Sequence, residues 1–310
     1  MSFLEIDDLR PERVQRVIDR AIALKSGSVA VPRLLAGQGV ALLFEKPSAR
    51  TRTSTEMAVF SLGGHPIYLR GEEVGLDTRE TVEDVTRVLA GYCALIAART
   101  FAHSTLERMV SISNVPVVNL LSDMAHPCQV LADLITMKQH FGDLEGRRIA
   151  YIGDGNNVAA SLALGCAYTG VEIVVASPDG YQLQEEVVDR VRNIGGNLGL
   201  TTEPYEAVRD ADVLYTDVWT SMGQEEETAV RRVAFAGFGI DDDLLGAAPD
   251  HAIVLHCLPA HRGEEISASV LEGPRSKVWE QAANRMDAFR SLAIELFDDE
   301  FRNGKVPSNG

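Results

Sequence analysis

Short apolar runs alternate with amphipathic helical segments along almost the whole chain, and this alternation constrains the fold more than any other feature. Residues 40–44, 149–152 and 252–255 are apolar runs too short for buried helices, and polar turns bound them. Residues 11–25 and 277–301 instead place apolar side chains at helical spacing. Because strands separated by helices form parallel sheets with helices on both faces, the sequence predicts an α/β fold.

A polar turn at residues 142–147 divides this pattern into two halves, and 310 residues suffice for two domains. We predict one domain over residues 1–140 and a second over residues 141–282, each a parallel sheet flanked by helices. Long helices are expected to join the two domains, with residues 283–302 of the C-terminal helix packing back on the first. The polar residues 303–310 are expected to form a disordered tail.

Composition and charge exclude several classes of protein. The net charge is −16, so a broad basic surface for nucleic acid or an anionic membrane is not expected. The four cysteines lie far apart without Cys-x-x-Cys spacing, which indicates free thiols in a reducing compartment. The N-terminus lacks the apolar segment of a signal peptide, and no apolar run approaches the ~20 residues of a membrane helix. We therefore expect a cytoplasmic protein.

Residues 44–54 place hydroxyl and guanidinium groups where a predicted strand passes into a predicted helix. A helix N-terminus presents unpaired N–H groups and a partial positive charge, so it suits an anion. Ser48 and Thr51 can donate hydroxyl hydrogens, and Arg50 and Arg52 can donate paired N–H groups to a phosphate. The alternative is a capped helix with a solvated basic first turn, but cations oppose the helix dipole at that end. The stretch therefore predicts an anion site.

Polar side chains follow five other predicted strands, in the zone beyond the carboxyl ends of a parallel sheet where ligands bind. They are Arg99, His126 with Gln129, Asn157, Asp217 and Cys257. His126 and Gln129 are three residues apart at a predicted helix start, so both can point at one ligand. A capping histidine and a solvated glutamine would have the same spacing. Residues 153–157 match a dinucleotide turn only weakly, because Val158 replaces the third glycine.

Four motifs occur in the order typical of one known family. They are Ser48-Ala49-Arg50-Thr51-Arg52, His126-Pro127-Cys128-Gln129, Asp217-x-x-x-Ser221-Met222-Gly223 and His256-Cys257-Leu258-Pro259. This set resembles the aspartate and ornithine carbamoyltransferases, and the last two motifs resemble the ornithine branch. The resemblance covers nearly the whole chain. It implies transfer of the carbamoyl group of carbamoyl phosphate to the δ-amine of L-ornithine, giving L-citrulline and phosphate.

The resemblance also implies a role for individual residues. Carbamoyl phosphate would contact Ser48, Ala49, Arg50, Thr51, Arg99, His126, Gln129, Cys257, Leu258 and Arg285. Of these, Arg50, Arg99, His126, Gln129, Cys257 and Arg285 would act in catalysis. Ornithine would contact Asn157, Asp217, Ser221, Met222 and Cys257. An amino acid zwitterion needs an anion near its α-ammonium group and donors near its α-carboxylate, which Asp217 and Asn157 can supply.

The same resemblance bears on cofactors and partners. The incoming amine is the nucleophile, so no metal or organic cofactor is implied, and Cys257 is given a positioning role. The family further implies a homotrimer or a multiple of it, and a place in arginine metabolism. Two other functions stay open. One is a carbamoyltransferase for another amine, such as putrescine, lysine or an acylated ornithine. The other is a non-catalytic Rossmann-like nucleotide-binding module that takes NAD.

The chain departs from the family pattern in two places. Ala49 stands where the family has threonine, which removes a hydroxyl but keeps the backbone N–H. In many relatives the loop equivalent to residues 71–80 carries a glutamine that enters a neighbouring subunit's site. This chain has no glutamine there, and Gly75 occupies about that position. The sequence therefore does not predict whether the loop contributes to a neighbouring site.

Overall fold

The computed structural model describes residues 2–221 and 223–302. Met222 and the predicted tail, residues 303–310, therefore lie outside the described residues. The chain forms two compact units. The first unit joins the residues up to Ile135 to the residues from Ala283 onward, and the second comprises Thr136–Ala282.

The first unit is built on a four-stranded sheet. Its elements are α1 (Pro11–Ser26), β1 (Gly39–Phe44), α2 (Ala49–Ser61), β2 (His65–Arg70), α3 (Gly71–Val74), α4 (Val82–Tyr92), β3 (Cys93–Arg99), α5 (His103–Ile112), β4 (Val117–Leu121) and the start of α6 (Pro127–Phe141), after a 3₁₀ turn at Ile6–Asp8. The strand order is β2-β1-β3-β4, and all neighbouring strands run parallel.

The second unit is built on a five-stranded sheet. Its elements are β5 (Arg148–Ile152), α7 (Asn157–Thr169), β6 (Glu172–Ala176), α8 (Glu185–Asn193), β7 (Leu198–Thr201), α9 (Pro204–Val208), β8 (Val213–Thr216), a 3₁₀ turn (Glu225–Glu227), α10 (Thr228–Ala234), α11 (Asp242–Ala247), β9 (Ile253–His256), α12 (Ala268–Leu271) and the start of α13 (Val278–Arg302). The strand order is β7-β6-β5-β8-β9, again parallel throughout.

These two helix-flanked parallel sheets confirm the α/β prediction, and the long C-terminal helix is α13. The central strands are buried on both faces, and no residue of Val40–Phe44 is more than 3% exposed. Burial on both faces explains why such strands appear as continuous apolar runs rather than as alternating patterns. Within the described residues, no helix combines the length and the apolar character that crossing a membrane requires.

Side-chain caps fix the helices that follow two central strands. Ser48 precedes α2, and its hydroxyl accepts a hydrogen bond from the backbone N–H of Thr51 at 3.4 Å. Asn156 precedes α7, and its Oδ1 accepts from the backbone N–H groups of Val158 and Ala159 at 2.9 and 3.2 Å. Each cap satisfies N–H donors that lack a partner within the helix. Polar residues are thereby anchored at the carboxyl ends of β1 and β5.

Two segments differ from the sequence prediction. Residues 224–239 begin as a polar stretch without a clear helical period, but they contain helix α10. Arg231 of this helix is only 6% exposed, because it pairs with the buried carboxylate of Asp154 at 2.8 Å. A partner 77 residues away leaves no signal in local spacing. Likewise the loop at residues 71–80 begins with the four-residue helix α3, which is too short to show a period.

Gly75 ends α3 in the left-handed conformation, with φ of 65°. A Cβ at this position would also lie 2.9 Å from the Cβ of Arg79. Both facts favour glycine, since other residues adopt positive φ only with strain. The conformation of the loop therefore accounts for the glycine found where the family pattern has glutamine.

Candidate active site

In the first unit, the start of α2 and the start of α6 are joined by one guanidinium group. Arg285 donates from Nη2 to the hydroxyl of Thr51 at 2.8 Å and from Nη1 to Oε1 of Gln129 at 2.7 Å. Gln129 in turn donates to the buried carboxylate of Asp133 at 2.8 Å. All four side chains are less than 9% exposed. Residues predicted from separate motifs therefore form one hydrogen-bonded group.

The hydroxyl of Ser48 extends this group. It donates to the hydroxyl of Thr51 at 3.0 Å while also capping α2. Ala49 is the exposed first residue of that helix, so its backbone N–H belongs to the end that carries partial positive charge. Alanine at position 49 therefore still supplies a backbone N–H at this end of the helix.

The two arginines of the first turn of α2 differ in their surroundings. Arg52 is exposed, pairs with Glu56 at 2.8 Å and lies over the ring of Tyr68 at 3.7 Å. Arg50 is half-buried, and within the described residues no hydrogen bond or ion pair engages its guanidinium group. The structure therefore gives no support to an anion contact for Arg52, because its guanidinium group already pairs with Glu56 on the helix surface.

His126 is a buried neutral group among cations. Burial, and then the positive charges of Arg285 and Arg99, hold its pKa well below the usual range. Arg99 ends β3 and is 8% exposed. An uncharged imidazole can still donate one hydrogen bond to a carbonyl oxygen. The neighbouring thiol of Cys128 donates to the carbonyl oxygen of Asn119, and burial raises its pKa to about 12, so it is not a nucleophile at neutral pH.

In the second unit, the carboxylate of Asp217 is the centre of the polar group. The thiol of Cys257 donates to Oδ1 at 2.8 Å, and the amide of Asn156 donates to Oδ2 at 3.0 Å. Asp217 follows β8, Asn156 follows β5 and Cys257 follows β9, so three adjacent strand ends meet at this carboxylate. It is 5% exposed. The structure thus brings Asp217 and Cys257 together, as the motifs predicted.

Asn156 was missed by the sequence analysis, which selected Asn157. Asn157 is the first residue of α7 and is partly exposed. Asn156 both caps the helix and contacts Asp217. The preference for asparagine at an N-cap marks this turn, but both asparagines precede the apolar segment that starts at Val158, so the sequence does not distinguish them. The cap holds the Asn156 side chain at the carboxyl end of β5, where it also reaches Asp217.

The turn after β9 is held by a buried histidine. His256 Nδ1 accepts from the backbone N–H of Leu258 at 2.8 Å, so Nε2 carries the hydrogen and donates to Glu265 at 3.0 Å. Leu258 adopts φ of 59°, a conformation that a branched residue rarely takes unless its surroundings impose it. The hydrogen bond from Leu258 to His256 helps to hold Leu258 in this conformation and so helps to position Cys257.

The segment after Asp217 is tied to α10. Arg231 donates to the carbonyl oxygen of Trp219 at 3.0 Å, and Trp219 packs against Phe235 with 5.8 Å between ring centroids. Trp219 is thus a packing residue of the hydrophobic core of the second unit. The backbone N–H of Ser221 donates to Gln224 at 3.1 Å. The predicted role of Met222 falls on a residue outside the described part of the chain.

The glycine turn after β5 has a packing explanation. A Cβ at Gly155 would lie 2.4–2.6 Å from the backbone of Gln182 and Leu183, so only glycine fits. Gly153 adopts φ of 144°, also typical of glycine. Close approach of residues 182–183 thus accounts for the turn without a dinucleotide.

Known proteins resemble the chain over nearly its full length. Residues 1–139 match the family model described as "Aspartate/ornithine carbamoyltransferase, carbamoyl-P binding domain", and residues 145–295 match "Aspartate/ornithine carbamoyltransferase, Asp/Orn binding domain". An ornithine carbamoyltransferase of Acidothermus cellulolyticus is 53% identical over 300 residues, covering 96% of both chains. One of Methanoculleus marisnigri is 47% identical, covering 95% of this chain and 96% of its own. The solved structure of ornithine carbamoyltransferase from Pyrococcus furiosus has a TM-score of 0.89 at 42% identity, covering 94% of this chain and 96% of its own.

Proposed function

The chain belongs to the aspartate/ornithine carbamoyltransferase family, and from this we infer that it transfers the carbamoyl group of carbamoyl phosphate to the δ-amine of L-ornithine. The products are L-citrulline and phosphate. The observation that carries this conclusion is identity of up to 53%, over 96% of the chain, to a relative that bears that name. The two alternatives left open by the sequence are not favoured.

We propose that the first unit binds carbamoyl phosphate. Its phosphate would lie at the start of α2, against Ser48, Arg50, Thr51 and the backbone N–H of Ala49. Support comes from the half-buried Arg50 and from the positive end of the helix. Arg99, His126, Gln129 and Arg285 would hold the bridging and carbonyl oxygens. The family resemblance adds Cys257 and Leu258 as further contacts of carbamoyl phosphate. The buried neutral imidazole of His126 supports donation to a carbonyl oxygen rather than a charge pair.

We propose that the second unit binds ornithine. Asp217 and Ser221 would receive the α-ammonium group, while Asn157 and the backbone N–H of Met222 would receive the α-carboxylate. The low exposure of Asp217 supports this, because a buried carboxylate held by two neutral donors keeps its negative charge uncompensated. Cys257 would lie beside the side-chain amine and would not attack it.

The transfer is an attack by the neutral δ-amine of ornithine on the carbonyl carbon. A C–N bond forms, the carbonyl oxygen becomes an oxyanion, and the C–O bond to phosphate then breaks as the amine nitrogen loses a proton. Arg99, His126 and Arg285 would stabilise charge on the oxyanion and on the departing phosphate, which is catalysis by positioning and electrostatics. Because the δ-ammonium must first lose a proton, the rate should rise with pH.

We also propose the larger organisation that the sequence suggested. The carbamoyl-phosphate domain would comprise residues 1–140 with residues 283–302, and the ornithine domain residues 141–282, in a cytoplasmic homotrimer or a multiple of it. The exposed apolar side chains Met57 and Phe60 on α2, and Tyr92 at the end of α4, support association of the first unit. Light scattering on the purified protein tests the oligomeric state.

Citrulline formation by purified protein from carbamoyl phosphate and ornithine tests the function. Putrescine, lysine and N-acetylornithine serve as competing amines, and ornithine should be preferred by at least about 100-fold in kcat/KM, the discrimination that buried polar contacts give. A thermal-shift assay with carbamoyl phosphate and with NAD separates the enzyme from a nucleotide-binding module. Stabilisation by NAD alone, without citrulline formation, would refute the proposal.

A further inference from the structure

The turn that follows Cys257 and Leu258 gathers three side chains that resemble a metal-binding set. His261, Glu264 and Glu265 each place one potential ligand atom within 4.8 Å of the others. A tight turn brings them together: Gly263 adopts φ of 89°, and the backbone N–H of Glu264 donates to the carbonyl oxygen of His261 at 2.9 Å. The reaction proposed above uses none of these three side chains.

The two carboxylate oxygens of Glu265 differ in their hydrogen bonding. Its Oε1 accepts from Nε2 of His256 at 3.0 Å and from the backbone N–H of His261 at 2.6 Å. Its Oε2 is buried and, within the described part of the chain, has no hydrogen-bond partner, although the side chain is 0% exposed. A buried carboxylate oxygen without a hydrogen-bond partner is unfavourable, and a water molecule or a bound cation would relieve it. Oε2 lies 3.9 Å from Nδ1 of His261.

In Glu264, too, one carboxylate oxygen accepts the hydrogen bonds. Arg232 donates to Oε1 of Glu264 from Nη2 at 2.6 Å and from Nε at 3.1 Å, which orients the carboxylate and leaves Oε2 available. Metal-ligating carboxylates are commonly held in this way by an outer partner. Arg232 compensates only one of the two carboxylates, so the turn keeps a negative charge suited to a cation.

We propose that His261, Glu264 and Glu265 bind a divalent transition-metal cation of the zinc type. Two ligands of a tetrahedral zinc lie roughly 3.4 Å apart, given metal–ligand bonds of about 2.1 Å. The 3.9 Å between Nδ1 of His261 and Oε2 of Glu265 closes to that value with a small rotation of a half-exposed ring. One imidazole, two carboxylates and a water molecule form an ordinary zinc set. The cation would lock the turn through Glu265 without disturbing the hydrogen bond from His256.

A second group, Asp217, His256 and Cys257, also lies within ligand distance but is a poorer site. Both ring nitrogens of His256 are already used, Nδ1 by the N–H of Leu258 and Nε2 by Glu265. Binding there would break the hydrogen bonds that hold the turn. The two sites are separable, because Cys257 belongs only to this group and His261 only to the proposed one.

Calorimetric titration of the chelator-treated full-length protein with Zn²⁺ tests the proposal, and Co²⁺ provides a visible spectrum as a second readout. Wild type should bind one equivalent. His261→Ala changes an exposed side chain and Glu264→Gln keeps the size of a partly buried one, so both should fold normally and lose affinity by more than the ~10–100-fold typical of an outer partner. Zn²⁺ should also raise the Tm of wild type but not of His261→Ala.

Two matched variants complete the design. His251→Ala removes an exposed histidine that pairs with a carboxylate of Asp212 at 2.9 Å, and Cys257→Ser removes the thiol of the second group. Both should still bind one equivalent of Zn²⁺. Equal affinity in wild type and His261→Ala would mean adventitious binding only, and a loss confined to Cys257→Ser would place the cation in the ornithine site. Either result, or no binding to wild type, overturns the proposal.

Discussion

The two units present polar side chains at equivalent strand ends but with opposite electrostatics. In the first unit Arg99 and Arg285 surround a neutral His126, and a helix N-terminus adds further positive character. In the second unit Asp217 is held by the uncharged groups of Asn156 and Cys257. Under the function proposed above, one architecture would serve two ligands of different charge, an acyl phosphate and an amino acid. The difference teaches that strand ends give the location of a site, whereas the charge of the side chains selects its ligand.

The strongest test of this comparison removes a cation from the first unit. We expect Arg50→Ala to lower citrulline formation by about 10²–10³-fold, as for loss of one preorganised donor to developing charge. The chain should stay folded, because Arg50 forms no ion pair within the described residues. The measurement is steady-state kinetics alongside the unfolding temperature.

Arg52→Ala is the matched control for that variant. Arg52 lies in the same helical turn but pairs with Glu56 and covers Tyr68. Its kcat/KM should stay within about threefold of wild type, since an exposed pair contributes little. If both variants lost activity equally, the two arginines would act through a non-specific electrostatic attraction for the phosphate, and not through a direct contact of Arg50.

The next test removes the anion of the second unit. Asp217→Asn keeps the size of the side chain but removes its charge, so ornithine affinity should fall by about 10–150-fold, the value of a hydrogen bond to a charged group. Carbamoyl phosphate affinity should change much less. Calorimetry with each ligand separately measures both. Equal losses for the two ligands would contradict the assignment of opposite charges to the two units.

The sequence predicted the sheets and the start of α2 because those features depend on local patterns, such as the apolar runs and the Ser48 cap. It could not predict that Arg285 reaches Gln129, since 156 residues separate them and no local rule joins them. Family resemblance alone pointed to Arg285. Asn156 was missed for a different reason: two adjacent asparagines are equivalent in composition, and only the cap geometry distinguishes them.

Buried long-range pairs were invisible for the same reason. Arg231 follows a run of acidic residues in the sequence, yet it pairs with Asp154 from the turn after β5. Burial raises the pKa of Asp154 in spite of that partner. Glu265 likewise appears as one acid in a charged turn, although it holds His256 and the turn after β9. Such residues become predictable only when the sheet order places their strands together.

A pH experiment examines the neutral member of the cationic group. Burial and the charges of Arg285 and Arg99 lower the pKa of His126 in the folded state, so the unfolded chain binds its proton more readily. Stability is therefore full above about pH 6.5, the ordinary histidine value, and is lost as pH falls below it. His126→Gln should reduce this pH dependence by at most about 1.4 kcal/mol per pH unit.

Urea unfolding between about pH 7 and pH 5 measures that slope. His65→Gln is the control, because His65 is exposed on the edge strand β2 and has no part in the cationic group. Its slope should equal that of wild type. An unchanged slope in His126→Gln would show that the imidazole is not held neutral among the arginines, and the contrast between the units would weaken.

The smallest expected effect distinguishes the two asparagines after β5. Asn156→Ala should lower the free energy of unfolding by ~1 kcal/mol through loss of the α7 cap, and should also weaken ornithine binding by releasing Asp217. Asn156→Ser keeps a capping hydroxyl, so stability should return while ornithine affinity stays low. Asn157→Ala should leave the cap intact and reduce ornithine affinity alone. Wild-type ornithine affinity in Asn156→Ser would show that Asp217 holds its position without the amide. The hydrogen bond from Asn156 would then have no influence on ornithine binding in the second unit.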